Sequence, residues 1–503
     1  MLRIKLGDTD LPQVANPTFL GVKLDPRLSW KPHIEDMEAR GIRRLAIMRK
    51  LSGTTWGANT KILKSVYTGT VRPVLEYASS SWNTAAKSNK AKLDKIQNRG
   101  LRTIMGAMKS TPITEMEKTA SIPPLETRRK EKLLIQGEKM KRLRSHPLHD
   151  KLQSLTKNRL KRKSLNHQIK EQQRDNADIL TSNILQCEPL TITDWTPHSL
   201  GANIRTTIPG ITCKQHLSDT ALKALTLDEI HQRYPASRWT LAYTDGSAEG
   251  ATRNGGSGAY ILQPKKQAVT LTAPSGALSS NFKAEVNALT LAASFLDTVP
   301  DLSKNIVFLT DSISALQALE ARDSDQSLEE LKHQISNLAT KSTVVLQWIP
   351  AHCGITGNEN ADKLAKEGSR MEQENHCLSY RESKTIIRRK WKASLSNQYT
   401  GYKPHQDPLH LLNRYEQTTI FRLRTGHCRL KSHLRRIGVA DSAMCDCGDS
   451  IQSPEHVLQT CPLHDQLRRD LWPHPTDLNT KLWGTLEDLR RTARFTTASG
   501  IEV

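Results

Sequence analysis

The stretch RWTLAYTDGSAEG, residues 238–250, decides the fold. Trp239, Leu241 and Tyr243 alternate with smaller or polar residues before Asp-Gly-Ser breaks the run, the pattern of a strand ending at Asp245. Outward from it, GAYILQ (258–263) and AVTLTA (268–273), separated by Pro264-Lys265-Lys266, read as two more strands of an antiparallel meander. SNFKAEVNALTLAASFL (280–296) then places Phe282, Val286, Leu289 and Ala293 on one helical face. KNIVFLTDS (304–312) is a short apolar strand stopping at Asp311, followed by a helical pattern through Leu316, Leu319, Leu328, Leu331 and Ile335. STVVLQWIPAH (342–352) is a further strand, and after the loop HCGITGNEN (352–360) a helix, ADKLAKEG (361–368), stops at Gly368. The order βββαβαβα predicts an α/β domain, a mixed five-stranded sheet flanked by helices.

Four acids gather in this order. Asp245 and Asp311 are expected at strand ends, Glu285 in the first turn or two of its helix, and Asp362 near the start of the last helix. Reactive groups in open α/β sheets collect in the crevice outside the carboxyl ends of the strands. Carboxylates crowded there repel one another unless protonated or bridged by hard cations. Mg²⁺ suits them because it prefers oxygen ligands and bridges phosphate, and two such ions promote in-line phosphodiester displacement. Singly, each acid is as well read as a turn residue, a solvated helix face, a cap or a dipole partner.

The motifs YTDGS, NFKAE, LTDS and WIPAHCGITGNENADKLAKEG resemble type 1 ribonuclease H over roughly residues 238–368. The resemblance implies a ribonuclease H-like fold, with Asp245, Glu285, Asp311 and Asp362 as ligands of two Mg²⁺ ions, for which Mn²⁺ can substitute. It implies that His352 assists proton transfer or product release. The substrate it implies is the RNA strand of an RNA–DNA hybrid, cut to leave 5′-phosphate and 3′-hydroxyl ends and read by 2′-hydroxyls and groove shape. Asn281 matches the family's hybrid-contacting asparagine, and Gly246 and Ser247 offer backbone donors where a phosphate or sugar approaches.

The rest of the chain sets the context. A length of 503 residues predicts several domains, and 73 Lys and Arg against 51 Asp and Glu, a formal net charge of +22, favour a polyanionic partner. The basic run KNRLKRK (157–163) is either a solvated face or a phosphate-contacting segment and nuclear address. No apolar run approaches the roughly 20 residues of a membrane span. Eight cysteines are too few for a disulfide framework, so an intracellular setting is expected, with the compartment open and the nucleus a candidate.

Near the C-terminus, MCDCGDSIQSPEHVLQTCP (444–462) offers Cys445, Cys447, His456 and Cys461, a thiolate and imidazole set suited to structural Zn²⁺, with His464 or Cys428 able to replace one ligand. This segment, preceded by FRLRTGHCRLKSHLRRIG (421–438), resembles the CCHC segment of insect-type non-LTR retrotransposon polyproteins. FLGVKLD (19–25), VRPVLEYASSSW (71–82) and LRTIMGAMKSTP (101–112) are similar to the end of the same elements' reverse transcriptase. No YxDD-like palm motif occurs, and the one Tyr-x-Asp, Tyr243 to Asp245, belongs to the nuclease strand. The chain therefore reads as a truncated copy or the C-terminal part of a longer reading frame, with an upstream reverse transcriptase part and element RNA or DNA among its expected partners.

The expected division is a helical reverse transcriptase remnant (1–125), a basic helical region and linker (126–234), the nuclease domain (235–370), a helical connector (371–435), the CCHC segment (436–475) and a tail (476–503). Three readings are carried forward: a hybrid-cutting ribonuclease, a catalytically silent retroelement fragment that binds nucleic acid, and a nuclease of the same fold acting on DNA junctions or single strands.

Overall fold

A computed structural model of the chain describes residues 5–10, 14–157, 162–181, 184–185, 200–212, 217–321, 328–398 and 402–503. Most of the basic run 157–163, and Pro189 and Pro197 of the expected linker, lie outside the described residues. The chain forms two compact units, one built mainly from Leu134–Lys157 with Asn166–Lys392, the other from Met1–Leu133 with Ala393–Val503.

The first unit holds a six-stranded mixed sheet. From residue 203 onward its elements in chain order are β1 (Asn203–Arg205), α1 (Asp219–Arg233), β2 (Thr240–Glu249), β3 (Arg253–Leu262), β4 (Val269–Leu278), α2 (Asn281–Thr298), β5 (Asn305–Thr310), α3 (Ile313–Glu320), α4 (Glu329–Lys341), β6 (Thr343–Trp348), α5 (Thr356–Arg370) and the part through Lys392 of α6 (Tyr380–Gln398). The strand order is β1-β6-β5-β2-β3-β4, parallel from β1 to β2 and antiparallel from β2 to β4. The central strands are apolar on both faces because helices cover both. Ala242, Ile306, Phe308, Val344 and Leu346 face one core with α2, α3 and α4, whereas Leu241, Tyr243, Val307, Leu309 and Val345 face another with α1 and α5.

The expectation of five strands is corrected by β1, which the linker supplies. It pairs parallel with β6 through Val345↔Asn203 to Gln347↔Arg205. Gln347 explains why this edge is covered: its buried amide accepts from the Tyr234 hydroxyl (3.0 Å) and donates to the Thr207 carbonyl (3.1 Å). Such a group left dry and unpaired is costly, and three residues of β pairing are too short to leave a period-2 signal.

Asp-Gly-Ser does not end β2 either. The strand runs to Glu249 and Asp245 sits mid-strand opposite Gly258. Likewise α5 begins at Thr356 inside the expected loop, so Asp362 lies in its second turn. Glycines at 354 and 357 suggested a loop, yet Gly357 is helical and buried where a Cβ would strike the Tyr243 ring.

Among the described residues the second unit is helical apart from short two-residue strands between Lys5 and Lys23. Helices Lys31–Arg49 and Lys87–Met105 share one core with Leu409, Leu412, Ile420, Phe421 and Leu489 from the C-terminal part. Buried Arg414 donates to the carbonyls of Thr103 and Ile104 and Arg422 to that of Gly106, supplying the donors that the end of the Lys87–Met105 helix lacks. Among the described residues no helix is long and apolar enough to cross a membrane.

Candidate active site

Parallel pairing of β2 and β5 ends at Thr244↔Thr310, and the next residue of each segment, Asp245 within β2 and Asp311 just past β5, is an acid. Side-chain alternation makes both continue the face of Tyr243 and Leu309. Glu285 joins them because α2 lies against β2 at Gly246. A Cβ there would collide with the backbone nitrogen of Glu285 and the carbonyl carbon of Ala284, so glycine is what permits the approach. Ser257, opposite Gly246, ties the same turn by donating to the Ala284 carbonyl at 2.8 Å.

Carboxylate oxygens of Asp245, Glu285 and Asp311 all lie within 4.8 Å of one another. Burial, then the charges of Asp311 and Asp362, push the Asp245 carboxyl up to about 7, although the Gly246 N–H donates to its Oδ1 at 2.7 Å. Glu285 is also held well above the usual carboxylate range, first by burial and then by Asp245 and Asp311. Its Oε2 is buried without a hydrogen-bond partner among the described residues. An all-oxygen set that cannot ionise without mutual repulsion, with one orphaned buried oxygen, has the donor chemistry of a hard divalent cation site.

Asp362 stands apart from this trio. Its carboxylate accepts from Lys366 Nζ at 2.6 Å and remains 22% exposed, although its charge reaches Asp245. Helix α5 can lie against β3 because Gly256 and Gly258 leave room for the backbone of Ala361, Ala365 and Gly368. Asp362 instead lines a cleft of about 280 Å³ with His352, Asn358, Glu359 and Lys363. His352 is exposed on the cleft's lip in a left-handed backbone conformation (φ 54°). That conformation is uncommon for a residue with a Cβ. Buried Asn358, whose Oδ1 has no partner among the described residues, also lines this cleft. Sequence reading missed it, since only the early start of α5 turns it inward.

Asn281 is the exposed first residue of α2, after Ser280 caps the helix by accepting from the Lys283 N–H. Gly246 and Ser247 are half-buried on β2.

A second cluster lies in the other unit. Ligand atoms of Cys445, Cys447, His456 and Cys461 also fall within 4.8 Å of one another. Cys445 and Cys461 sulfurs are 3.7 Å apart, and Cys447 Sγ is 3.2 Å from His456 Nε2. The tight C-x-C spacing works because the chain folds back in a knuckle. The Cys445 N–H donates to the Ser450 carbonyl, that of Gly448 to the Cys445 carbonyl, and that of Asp449 to Cys447 Sγ. This last bond, ahead of His456, brings the Cys447 thiol down to about 7, while burial raises Cys461 to about 11. On the other side of His456, Nδ1 lies 3.0 Å from Thr460 Oγ1, which fixes the ring. Of the alternative ligands, Cys428 is buried in the apolar core and His464 packs edge-on against Phe495, so neither joins the cluster.

This fold and acidic trio define a class. Residues 238–370 match the RNase H family, and the chain carries an RNase H domain over that stretch. Similar solved structures include the N-terminal RNase H domain of a Mycobacterium tuberculosis protein fused to maltose-binding protein (20% identity, 26% of this chain and 94% of that one, TM-score 0.23). Another is RNase H1 from the halophilic archaeon Halobacterium salinarum (22% identity, 26% of this chain and 96% of that one, TM-score 0.22).

Proposed function

We propose that the domain at 238–370 is a Mg²⁺-dependent endoribonuclease that cuts the RNA strand of RNA–DNA hybrids. The observation that carries this is the trio Asp245, Glu285 and Asp311, whose oxygens converge within 4.8 Å where the parallel pairing of β2 with β5 ends. In this reading the trio holds two Mg²⁺ ions, which Mn²⁺ can replace, with Asp362 completing the set after exchanging its Lys366 partner. When bound, the ions neutralise the carboxylates, activate a water and stabilise the leaving oxygen of the phosphodiester. The protein's share is positional. Asp245 and Glu285 present their oxygens from elements locked together at Gly246. His352, on the lip of the cleft that Asp362 lines, assists proton transfer to the leaving oxygen or product release. Asn281, exposed at the start of α2, contacts the hybrid in the minor groove, and Gly246 and Ser247 on the adjoining strand offer backbone donors to a phosphate or sugar.

Cys445, Cys447, His456 and Cys461 hold a structural Zn²⁺. Three sulfurs and an imidazole within 4.8 Å, one thiol with a lowered pKa, support this. The motifs at 19–25, 71–82, 101–112 and 421–462 support reading the chain as part of a retrotransposon polyprotein in which RNA removal follows reverse transcription.

The test incubates purified chain with labelled RNA–DNA hybrid and Mg²⁺ beside Asp311→Asn. Wild type should cut and the variant should lose at least about a hundredfold of that rate. No cutting by wild type would favour the catalytically silent binding reading, and equal cutting by both would sink the assignment of cleavage to this trio. Parallel arms of duplex DNA, duplex RNA and single-stranded RNA separate a hybrid enzyme from a nuclease of other specificity.

A further inference from the structure

Helix α6 follows the RNase H domain in sequence, and its residues through Lys392 belong to the same compact unit. Its residues divide sharply by face. Glu382, Ser383, Ile386 and Ile387 are buried, with the two isoleucines in a small core with Leu134, Ile179 and Leu378, against which Leu278 also packs. At 3.6 residues per turn, Arg381, Lys384, Arg388 and Lys392 all fall within an arc of about 80° on the opposite face. They form a cationic stripe roughly 16 Å long. Lys139, exposed on the neighbouring helix Leu125–Arg142, joins them, and Arg388, Arg381 and Lys139 together hold the Lys384 ammonium below its ordinary range, after burial. The only acid of the helix before Gln398, Glu382, is buried and accepts from the Ser379 N–H at 2.9 Å. Among the described residues, Lys384, Arg388 and Lys392 form no ion pair, whereas Lys390 turns away to Asp178.

The sheet register locates the buried anchor of this helix. Leu278 ends β4 opposite Arg253, and Arg253 faces Glu249 of β2. The anchor of α6 is thus at the same end of the sheet as the acids. Two strand spacings and four residues of rise put Leu278 roughly 16 Å from Asp245. Two further ties fix the helix there: Asp178 bridges Lys390 and Arg253, and the Ala277 N–H donates to the Glu374 carbonyl in the segment leading to α6.

We infer that Arg381, Lys384, Arg388 and Lys392, with Lys139, form a phosphate-tracking surface that grips the backbone of the RNA–DNA hybrid beyond the point of cutting. This inference rests on the proposed ribonuclease function for its choice of polyanion. Like cations crowded on a rigid face are relieved by a phosphate backbone, which releases its own counterions on binding. The stripe reads no sequence and sets how much duplex the domain needs for tight binding.

The experiment compares the full chain with Lys384→Ala/Arg388→Ala/Lys392→Ala on hybrids of about 8 and about 24 base pairs. The shorter one is expected to engage the acids without reaching the stripe. In Mg²⁺ the ratio of KM on the long hybrid to KM on the short one should rise about tenfold in the variant with little change in kcat. In Ca²⁺ without cutting, the long hybrid should bind roughly ten- to a hundredfold more weakly, and its log Kd against log salt slope should fall by about 2 to 3 for the three lost cations. Lys384→Arg/Lys392→Arg should retain wild-type binding. An unchanged KM ratio and unchanged long-hybrid affinity would overturn the inference, as would a loss confined to single-stranded RNA. If wild type cuts no hybrid, the ribonuclease reading falls, while the Ca²⁺ binding arm still decides this one.

Discussion

At the residue scale, Asp245 joins burial to chemistry. Its folded carboxyl is raised to about 7 by burial and then by Asp311 and Asp362, so between the ordinary carboxylate range and about pH 7 the folded chain holds a proton that the unfolded chain has lost. The site's contribution therefore falls as pH rises through that window, and is lowest above it in metal-free protein. Asp245→Asn should stabilise metal-free chain at pH 8 by about 2 kcal/mol or more and have little effect near pH 4. Mg²⁺ should raise the wild-type Tm at pH 8 and leave that of the variant unmoved. Thermal unfolding of both proteins across pH with and without Mg²⁺ checks this, and a variant less stable than wild type at pH 8 would contradict it.

At the element scale, the site depends on how closely α2 lies on β2. Gly246→Ala puts a methyl into the backbone of Ala284 and Glu285, where no side chain can swing aside. Overpacking against fixed backbone costs about 1–3 kcal/mol or more, and relief by lifting α2 would draw Glu285 from Asp245. Urea unfolding should show the loss in stability, and hybrid cleavage should fall by well over tenfold in folded variant. Ser247→Ala, whose backbone remains, is the control. The element order was legible in sequence because the apolar periods of 239–243, 282–293, 306–309 and 344–346 are strong. What misled was punctuation: Asp-Gly-Ser at 245–247 and the glycines at 354 and 357 look like breaks, yet Gly246 and Gly357 are helix-packing positions inside regular elements. Periodicity does not distinguish a glycine needed for a turn from one needed for close approach.

At the scale of the whole molecule, the two units follow contacts rather than chain order. Arg414 and Arg422 carry the C-terminal part onto the helices of residues 31–105, so the cysteine cluster belongs to a unit begun some 400 residues earlier. The purified chain should contain one Zn²⁺, measured by elemental analysis. Cys445→Ser or Cys461→Ser should abolish it and lower the unfolding temperature of that unit by several degrees, since binding to a folded site is folding free energy. Cys428→Ser should keep the metal, because Cys428 lies in the apolar core outside the cluster. Loss of Zn²⁺ in Cys428→Ser with retention in Cys461→Ser would reverse the ligand assignment.

The sequence by itself determined the chemistry available: four acids, a histidine loop and a Cys/His set in fixed order along strong apolar periods. These are local properties, written in residue type and spacing. Tertiary structure alone decided that three of the acids share one cluster while Asp362 lines the cleft with His352, that a three-residue strand closes the sheet on Gln347, and that Cys428 and His464 stay out of the metal cluster. Each depends on which backbones approach within a few ångströms across long separations, a matter of register and packing that no single segment encodes.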